Sequence, residues 1–230
     1  TNPQLKVVVE ADMNELKKLS VVLLAAGESR RMGELNKLLL PVDGVPLLRR
    51  TSMMLCNYGR AENCGFSEVV VVTGHEQREA VEQLTGLPVS LVHNENYSQG
   101  QMSSVICGLR GLVQPVDGVL ICLSDLPLVD LEDIRIIHEG FSKSKKPILV
   151  PTFNSQRGNP IVLATSQVEE IIKTGRNLGC RNLIEREPQR VTTLEMPNDH
   201  VVIDMDTPNN YKNVQTRLAK SSISHLVDAV

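Results

Sequence analysis

Aromatic residues are nearly missing from this chain of 230 residues: Phe, Tyr and Trp together make up 3%, and Trp is absent. A core must therefore be built from Val, Leu and Ile. Paired cysteines are missing too. Cys56, Cys64, Cys107, Cys122 and Cys180 are odd in number, dispersed and never in a C-x-x-C arrangement, which argues against a disulfide framework and a zinc site. Most have apolar neighbours and read as small core residues. No stretch approaches the ~18 consecutive apolar residues of a membrane-spanning helix, and no charged-then-apolar leader opens the sequence. Positive charge is not in excess either. A formal net charge of −3 gives no global attraction to nucleic acid or anionic membrane, so phosphate binding would need a local cluster of cations. The expectation is a soluble, cytoplasmic protein with neither nucleic acid nor membrane as a partner.

What is present fits one sizeable α/β domain, or at most two small ones; the hydrophobic fraction of 41% and the charged fraction of 22% are ordinary. Val21 to Leu24 is an apolar run that reads as a buried strand. Leu38 to Pro41 leads to an Asp43-Gly44 turn, and Pro46 starts a helix through Leu55. Glu68 to Val72 is a β-branched run ending at Thr73-Gly74-His75, a buried parallel strand. Glu76 to Leu84 is helical in spacing, and Val89 to Val92 forms the next strand. Ser103 or Ser104 is placed to cap a helix to about Leu112. Gly118 to Leu123 is a fourth strand, followed by Ser124-Asp125, and Asp130 caps a helix from Leu131 to about Phe141.

Short strands at Ile148–Val150 and Ile161–Leu163 flank a polar loop from Asn154 to Pro160. Val168–Ile172 and Arg181–Glu187 read as helices around a Thr174–Cys180 loop. Val191–Leu194 and Val201–Ile203 read as the last strands, and Pro208 opens a final helix to about Leu218. Val7–Val9 is a candidate edge strand in an otherwise weakly patterned start. Alternating strands and helices predict an α/β fold with a doubly wound, mostly parallel, Rossmann-like sheet, helices on both faces, and a small irregular β-containing insertion in the C-terminal third. The expected organisation is an extension over 1–19, a single domain over 20–220 and a tail over 221–230.

The stretch from Leu23 to Gly33, followed by Asn36-Lys37, carries the chemistry. Small residues after a buried strand let backbone N–H groups approach a ligand, and Arg31 and Lys37 supply charge for a polyphosphate; the same composition also suits a plain basic surface loop. In an open α/β sheet, ligands sit beyond the carboxyl ends of the strands. That rule gathers Ala25 to Lys37, Thr73-Gly74-His75, Ser124-Asp125 and Asp204 to Asp206 on one edge. A lone Asp125 would read as a helix cap, but two strand-end carboxylates facing a basic glycine-rich loop suit Mg²⁺ and phosphates. Such a set points to phosphoryl or nucleotidyl transfer, where positioning and charge stabilisation dominate. Neither the G-x-x-x-x-G-K-[ST] phosphate loop nor the G-x-G-x-x-G dinucleotide fingerprint is present. His75 and His93 are expected to stabilise loops rather than touch ligand, and Arg30 to face solvent. Met102-Ser103-Ser104 either presents helix amides to an anion or merely caps the helix.

Leu24-Ala25-Ala26-Gly27-x-Ser29-x-Arg31-Met32-Gly33 with Asn36-Lys37 resembles the signature of the nucleotidyltransferase family with a GT-A-like fold. With Thr73-Gly74-His75, Gly100 to Ser104, Ser124 to Pro127, Arg157-Gly158-Asn159-Pro160 and Asp204 to Pro208, the whole is most similar to the molybdenum cofactor cytidylyltransferases. The resemblance implies transfer of CMP from CTP to the phosphate of a molybdopterin-type cofactor, releasing pyrophosphate, with Mg²⁺ as cofactor and a molybdoenzyme as a possible further partner. It implies nucleotide binding by Leu24, Ala25, Ala26, Gly27, Arg31, Lys37, Thr73, Gly74, Ser104 and Ser124. Catalysis would fall to Lys37, Arg31 and Asp125, metal binding to Asp125 and Asp206, and acceptor binding to Gly158, Asn159 and Pro160. Guanylyl-transferring relatives resemble Leu-Ala-Gly-Gly with Asp-Lys, so Ala26 and Asn36 favour cytosine. The subgroup's Gly-His-Pro is here Gly158-Asn159-Pro160, which leaves room for a sugar or polyol phosphate as acceptor. A non-catalytic cofactor carrier is the alternative of another class.

Overall fold

The computed structural model describes residues 16–33, 35–58, 65–175 and 187–227, with side chains as far as residue 220. The expected Val7–Val9 strand, nearly all of the expected Arg181–Glu187 helix, Cys64 and Cys180 lie outside the described residues.

Ten strands are described: β1 Leu19–Ala25, β2 Pro41–Val42, β3 Val45–Pro46, β4 Val69–Thr73, β5 Ser90–His93, β6 Gly118–Leu123, β7 Ile148–Phe153, β8 Gln156–Arg157, β9 Ile161–Ala164 and β10 Val191–Glu195. The α-helices are α1 Leu47–Tyr58, α2 Gln77–Leu84, α3 Gln101–Arg110, α4 Leu131–Lys143, α5 Thr165–Thr174 and α6 Pro208–Val227. The main sheet runs β10-β7-β9-β6-β1-β4-β5, with β8 on β7. β1 pairs in parallel with both β4 and β6, β4 with β5, and β10 with β7, while β9 runs antiparallel between β6 and β7. The chain leaves β1 towards β4 and β5, then returns to the other side of β1 at β6. That reversal opens a crevice at the carboxyl ends of β1 and β6.

The continuous apolar run of β1 divides between the faces by simple alternation. Leu19, Val21, Leu23 and Ala25 pack with α1, α2 and α4. Val22 and Leu24 pack with α3 and α5. Val21, Val22 and Leu23 are wholly buried, each side chain adding about 1.5–3 kcal/mol of hydrophobic stabilisation. Helix α3 lies unusually close to the sheet, because a Cβ on Gly108 would stand 2.3 Å from Val22 Cγ1 and 2.7 Å from Val72 Cγ2. Any larger residue there would push the helix off β1. A third cluster joins α6 to the β2–β3 hairpin through Val42, Leu47, Met205 and Val214.

Several elements differ from expectation. Pro46 does not start α1; Val45-Pro46 pairs with Pro41-Val42 across Asp43 and Gly44, whose φ values of 56° and 78° make the tight hairpin turn. Helix α3 begins at Gln101, so Ser103 and Ser104 lie inside it and neither caps it. Val201–Ile203 is no strand. His200–Val202 forms a single 3-10 turn, and the Val201 carbonyl takes one bond from Asn159 N–H (2.9 Å) in place of a ladder. The final helix runs past Leu218 to Val227.

Candidate active site

At the end of β1 the chain turns at Ala26 and Gly27 into a loop held by short local bonds. Ser29 adopts φ 51°, and its carbonyl accepts the N–H of Met32 (2.7 Å), closing a 3-10 turn over Arg30–Met32. Met32 is 3% exposed and anchors the loop to the core. A second 3-10 turn, Lys37–Leu39, is capped by Asn36, whose side chain accepts the N–H of Leu38 (3.0 Å). With Leu38 buried beneath it, Lys37 reaches into the crevice.

There its ammonium donates to Asp125 Oδ2 and Asp206 Oδ1, both at 2.6 Å. Arg31 bonds the other oxygen of Asp206. Asp125 is held at the end of β6, where the N–H and hydroxyl of neighbouring Ser124 both donate to the Leu24 carbonyl, at 3.2 and 2.6 Å. Asp206 is brought in from the other direction. Met205, wholly buried, donates its N–H to the Asp125 carbonyl (2.9 Å) and so pins the two carboxylates together.

These groups line a cleft of about 430 Å³. Leu24, Ala26, Gly27, Arg31, Lys37, Ser104, Ser124, Asp125 and Asp206 all border it. Ala25 turns away into the opposite core cluster, and Thr73 and Gly74 stand behind the wall. Gly74 lies so close to Ala26 and Tyr97 that an added Cβ would approach both at 2.8 Å. Gly158, Asn159 and Pro160 are not among the lining residues; their turn bonds Pro151 and Val201 through backbone N–H groups. His75 donates its N–H to Ala26 and His93 lies near Thr73, neither bordering the cleft.

Tyr97 and Ser98, which border the cleft with Gln101 of the Gly100–Ser104 segment, are not among the expected site residues, and neither is Asn94. The Asn94 amide donates to Ser103 (2.8 Å) and Ser104 (2.9 Å), while its oxygen accepts from Asn96 N–H (3.0 Å). Its only signal was an amide at a strand end, which fits many turns.

Burial works to lower the pKa of Lys37, but its pairing with Asp125 and Asp206 overrides this and raises it, so the side chain is a cation at neutral pH. Asp204 is pushed upward by burial and by the charges of Asp206 and Asp125. Two carboxylates thus share one lysine, and Asp125 Oδ1 is buried without a hydrogen-bond partner. An unpaired buried carboxylate oxygen is costly. It fits an oxygen-seeking divalent cation between Asp125 and Asp206. Nearby Cys122 is buried, and burial pushes its thiol up to about 12, which disfavours the thiolate form.

An open, mostly parallel sheet with a basic glycine-rich loop and paired carboxylates at its reversal point has the layout of a nucleotide-handling α/β protein. Residues 21–191 match the MobA-like NTP transferase domain family, and the chain belongs to that nucleotidyltransferase family. It is 24% identical to a probable molybdenum cofactor guanylyltransferase of Natronomonas pharaonis, over 80% of this chain and 83% of that protein. It is 26% identical to the nicotine blue oxidoreductase of Paenarthrobacter nicotinovorans, over 81% and 91%. The match to a bifunctional GlmU protein of Clavibacter sepedonicus covers only 27% of that longer protein. The fold superposes on a nucleotidyl transferase from Methanothermobacter thermautotroptrophicus with TM-score 0.74 and 21% identity, covering 89% of this chain and 99% of that one. Among the described residues no helix is long and apolar enough to cross a membrane.

Proposed function

We propose that the protein transfers CMP from CTP to the terminal phosphate of a molybdopterin-type cofactor, releasing pyrophosphate. The observation that carries this reading is the Lys37 ammonium held between Asp125 and Asp206 at 2.6 Å each, inside a glycine-rich cleft. Asp125 and Asp206 would hold Mg²⁺, which neutralises phosphate charge when bound. Lys37, freed from those carboxylates, would meet the oxygens of the α-phosphate, and Arg31 the outer phosphates. Backbone N–H groups of the loop from Ala26 to Gly33 would orient the triphosphate. An oxygen of the acceptor phosphate then forms the new bond to the α-phosphorus. The bond to the bridging oxygen breaks, and pyrophosphate leaves with that electron pair. No protein nucleophile is needed.

The pyrimidine assignment is supported by Ala26. The residue borders the cleft while its Cβ packs on Gly74, and it stands where the guanylyl-transferring pattern has a glycine, which would leave more room for a larger base. A different phosphorylated acceptor, such as a sugar or polyol phosphate, is the second reading, favoured by the place of Asn159 off the cleft.

Incubation with Mg²⁺, molybdopterin and each of the four nucleoside triphosphates tests the proposal by pyrophosphate release. Release with CTP alone is expected. Release with GTP instead overturns the base assignment, and release with none overturns transfer to this acceptor.

A further inference from the structure

The nucleotide loop is fastened at a point the transfer chemistry does not use. Asn36 Oδ1 accepts the Leu38 N–H (3.0 Å), while Nδ2 donates to Glu76 Oε2 (2.8 Å). Only one orientation of the amide satisfies both partners, because an N–H needs an acceptor and a carboxylate can only accept. Glu76 itself sits at φ 48°, at the start of α2 just after β4, and its other oxygen lies 3.5 Å from His75 Nε2. His75 in turn donates its backbone N–H to Ala26 at the loop's opening (3.3 Å). At the far end, Ser29 Oγ accepts the N–H of Lys37 (3.2 Å). Ala26 and Asn36 are thereby each tied to the turn after β4.

We propose that Asn36 is a positioning residue that latches the nucleotide loop to Glu76, and that a neutral amide is required there because its partner is a carboxylate. Its effect on substrate rests on the transferase reading; the latch itself does not. Asn36→Asp keeps the acceptor for Leu38 N–H but sets two carboxylates at hydrogen-bond distance. Glu76→Gln alone leaves donor facing acceptor. The double variant Asn36→Asp/Glu76→Gln restores donor to acceptor at the net charge of the parent.

Two measurements read the latch. Hydrogen exchange at the Lys37 and Leu38 amides, in protein free of nucleotide, should quicken by about fivefold in Asn36→Asp and return to the parent rate in the double variant. The KM for CTP should rise about fivefold in Asn36→Asp with kcat within about twofold, and recover in the double variant. Unchanged exchange in Asn36→Asp, or a double variant exchanging as fast as Asn36→Asp, overturns the latch. The expected exchange pattern with no nucleotide turnover in the parent leaves the latch standing and overturns the transferase reading.

Discussion

Asp125 and Asp133 lie on the same segment after β6, yet the fold treats them in opposite ways. Asp133 is wholly buried, and both of its oxygens are engaged: one accepts His200 Nδ1 (2.8 Å) and the Asp130 N–H (3.1 Å), the other Asn198 Nδ2 (3.2 Å). With Asp130 it completes a capping box at the start of α4. The donor atoms of Asp130, Asp133 and His200 lie within 4.8 Å of one another, but they are spent on one another and on the helix end. Asp125 has one oxygen on Lys37 and the other on nothing. Two acidic clusters of similar composition are thus told apart by satisfaction. The first holds the fold together, and the second keeps an unmet demand for a cation.

The largest effect expected is on turnover. Asp125→Asn should lower the rate of pyrophosphate release by about 10²-fold or more, while the melting temperature stays within about 2 °C, since Lys37 keeps its bond to Asp206. Melting curves recorded beside the rates check both halves. Asp133→Ala should do the reverse. Losing its bond to the Asp130 N–H, the reciprocal half of the capping box, and two side-chain bonds costs about 2 kcal/mol, or a fall of about 4–8 °C in Tm, with activity per folded molecule retained. Equal loss of activity in both variants would erase the distinction.

The smallest effect is a dependence on pH. Burial alone would raise the Asp133 carboxyl, but its bonds to His200 and Asn198 and to the Asp130 backbone hold it below the usual range. The same hydrogen bond raises His200 above the usual histidine value. The stability His200 adds is therefore fully present below about pH 6.5 and fades as pH rises through its higher folded-state pKa. His138 runs the other way. Burial lowers it despite its bond to the Lys17 carbonyl, so its neutral form is favoured and stability falls as pH drops below about 6.5. Denaturant titrations of the parent and His200→Gln cancel the His138 contribution. The difference between them should be about 1 kcal/mol or less at about pH 5.5 and smaller still at about pH 8.5. A difference that grows with pH would contradict the pairing.

Much of this was open to reading from residue order. The runs at Val21–Leu24, Glu68–Val72 and Gly118–Leu123 announced parallel strands because both of their faces are covered. Once those strands were placed, the strand-end rule brought Lys37 and Asp125 together, whereas Asp206 was added through an expected Val201–Ile203 strand that is a 3-10 turn; Asp130 was marked as a cap by its place before an apolar helical period. What escaped depends on partners distant in sequence. Val201–Ile203 is β-branched and reads as strand, but its neighbour is the Asn159 turn rather than a free sheet edge. Ser103 and Ser104 look like caps, yet the helix starts at Gln101 and Asn94, nine and ten residues upstream, donates to both hydroxyls. Tyr97 and Gln101 carry no periodic signal at all. The Asn36–Glu76 bond joins a loop to a helix start whose proximity no local pattern encodes.

The antiparallel placement of β9 carries a consequence for how such a protein changes over time. On the β1, β4 and β6 side, each strand returns through a packed helix, so the length of every connection is set by the core. Between β7 and β9 the chain turns back through β8 at the Asn154-Ser155 tip, where both residues have positive φ. A hairpin tip can be lengthened or rewritten at little energetic cost. The β7–β9 half of the sheet can therefore take up insertions and substitutions that the β1, β4 and β6 half resists.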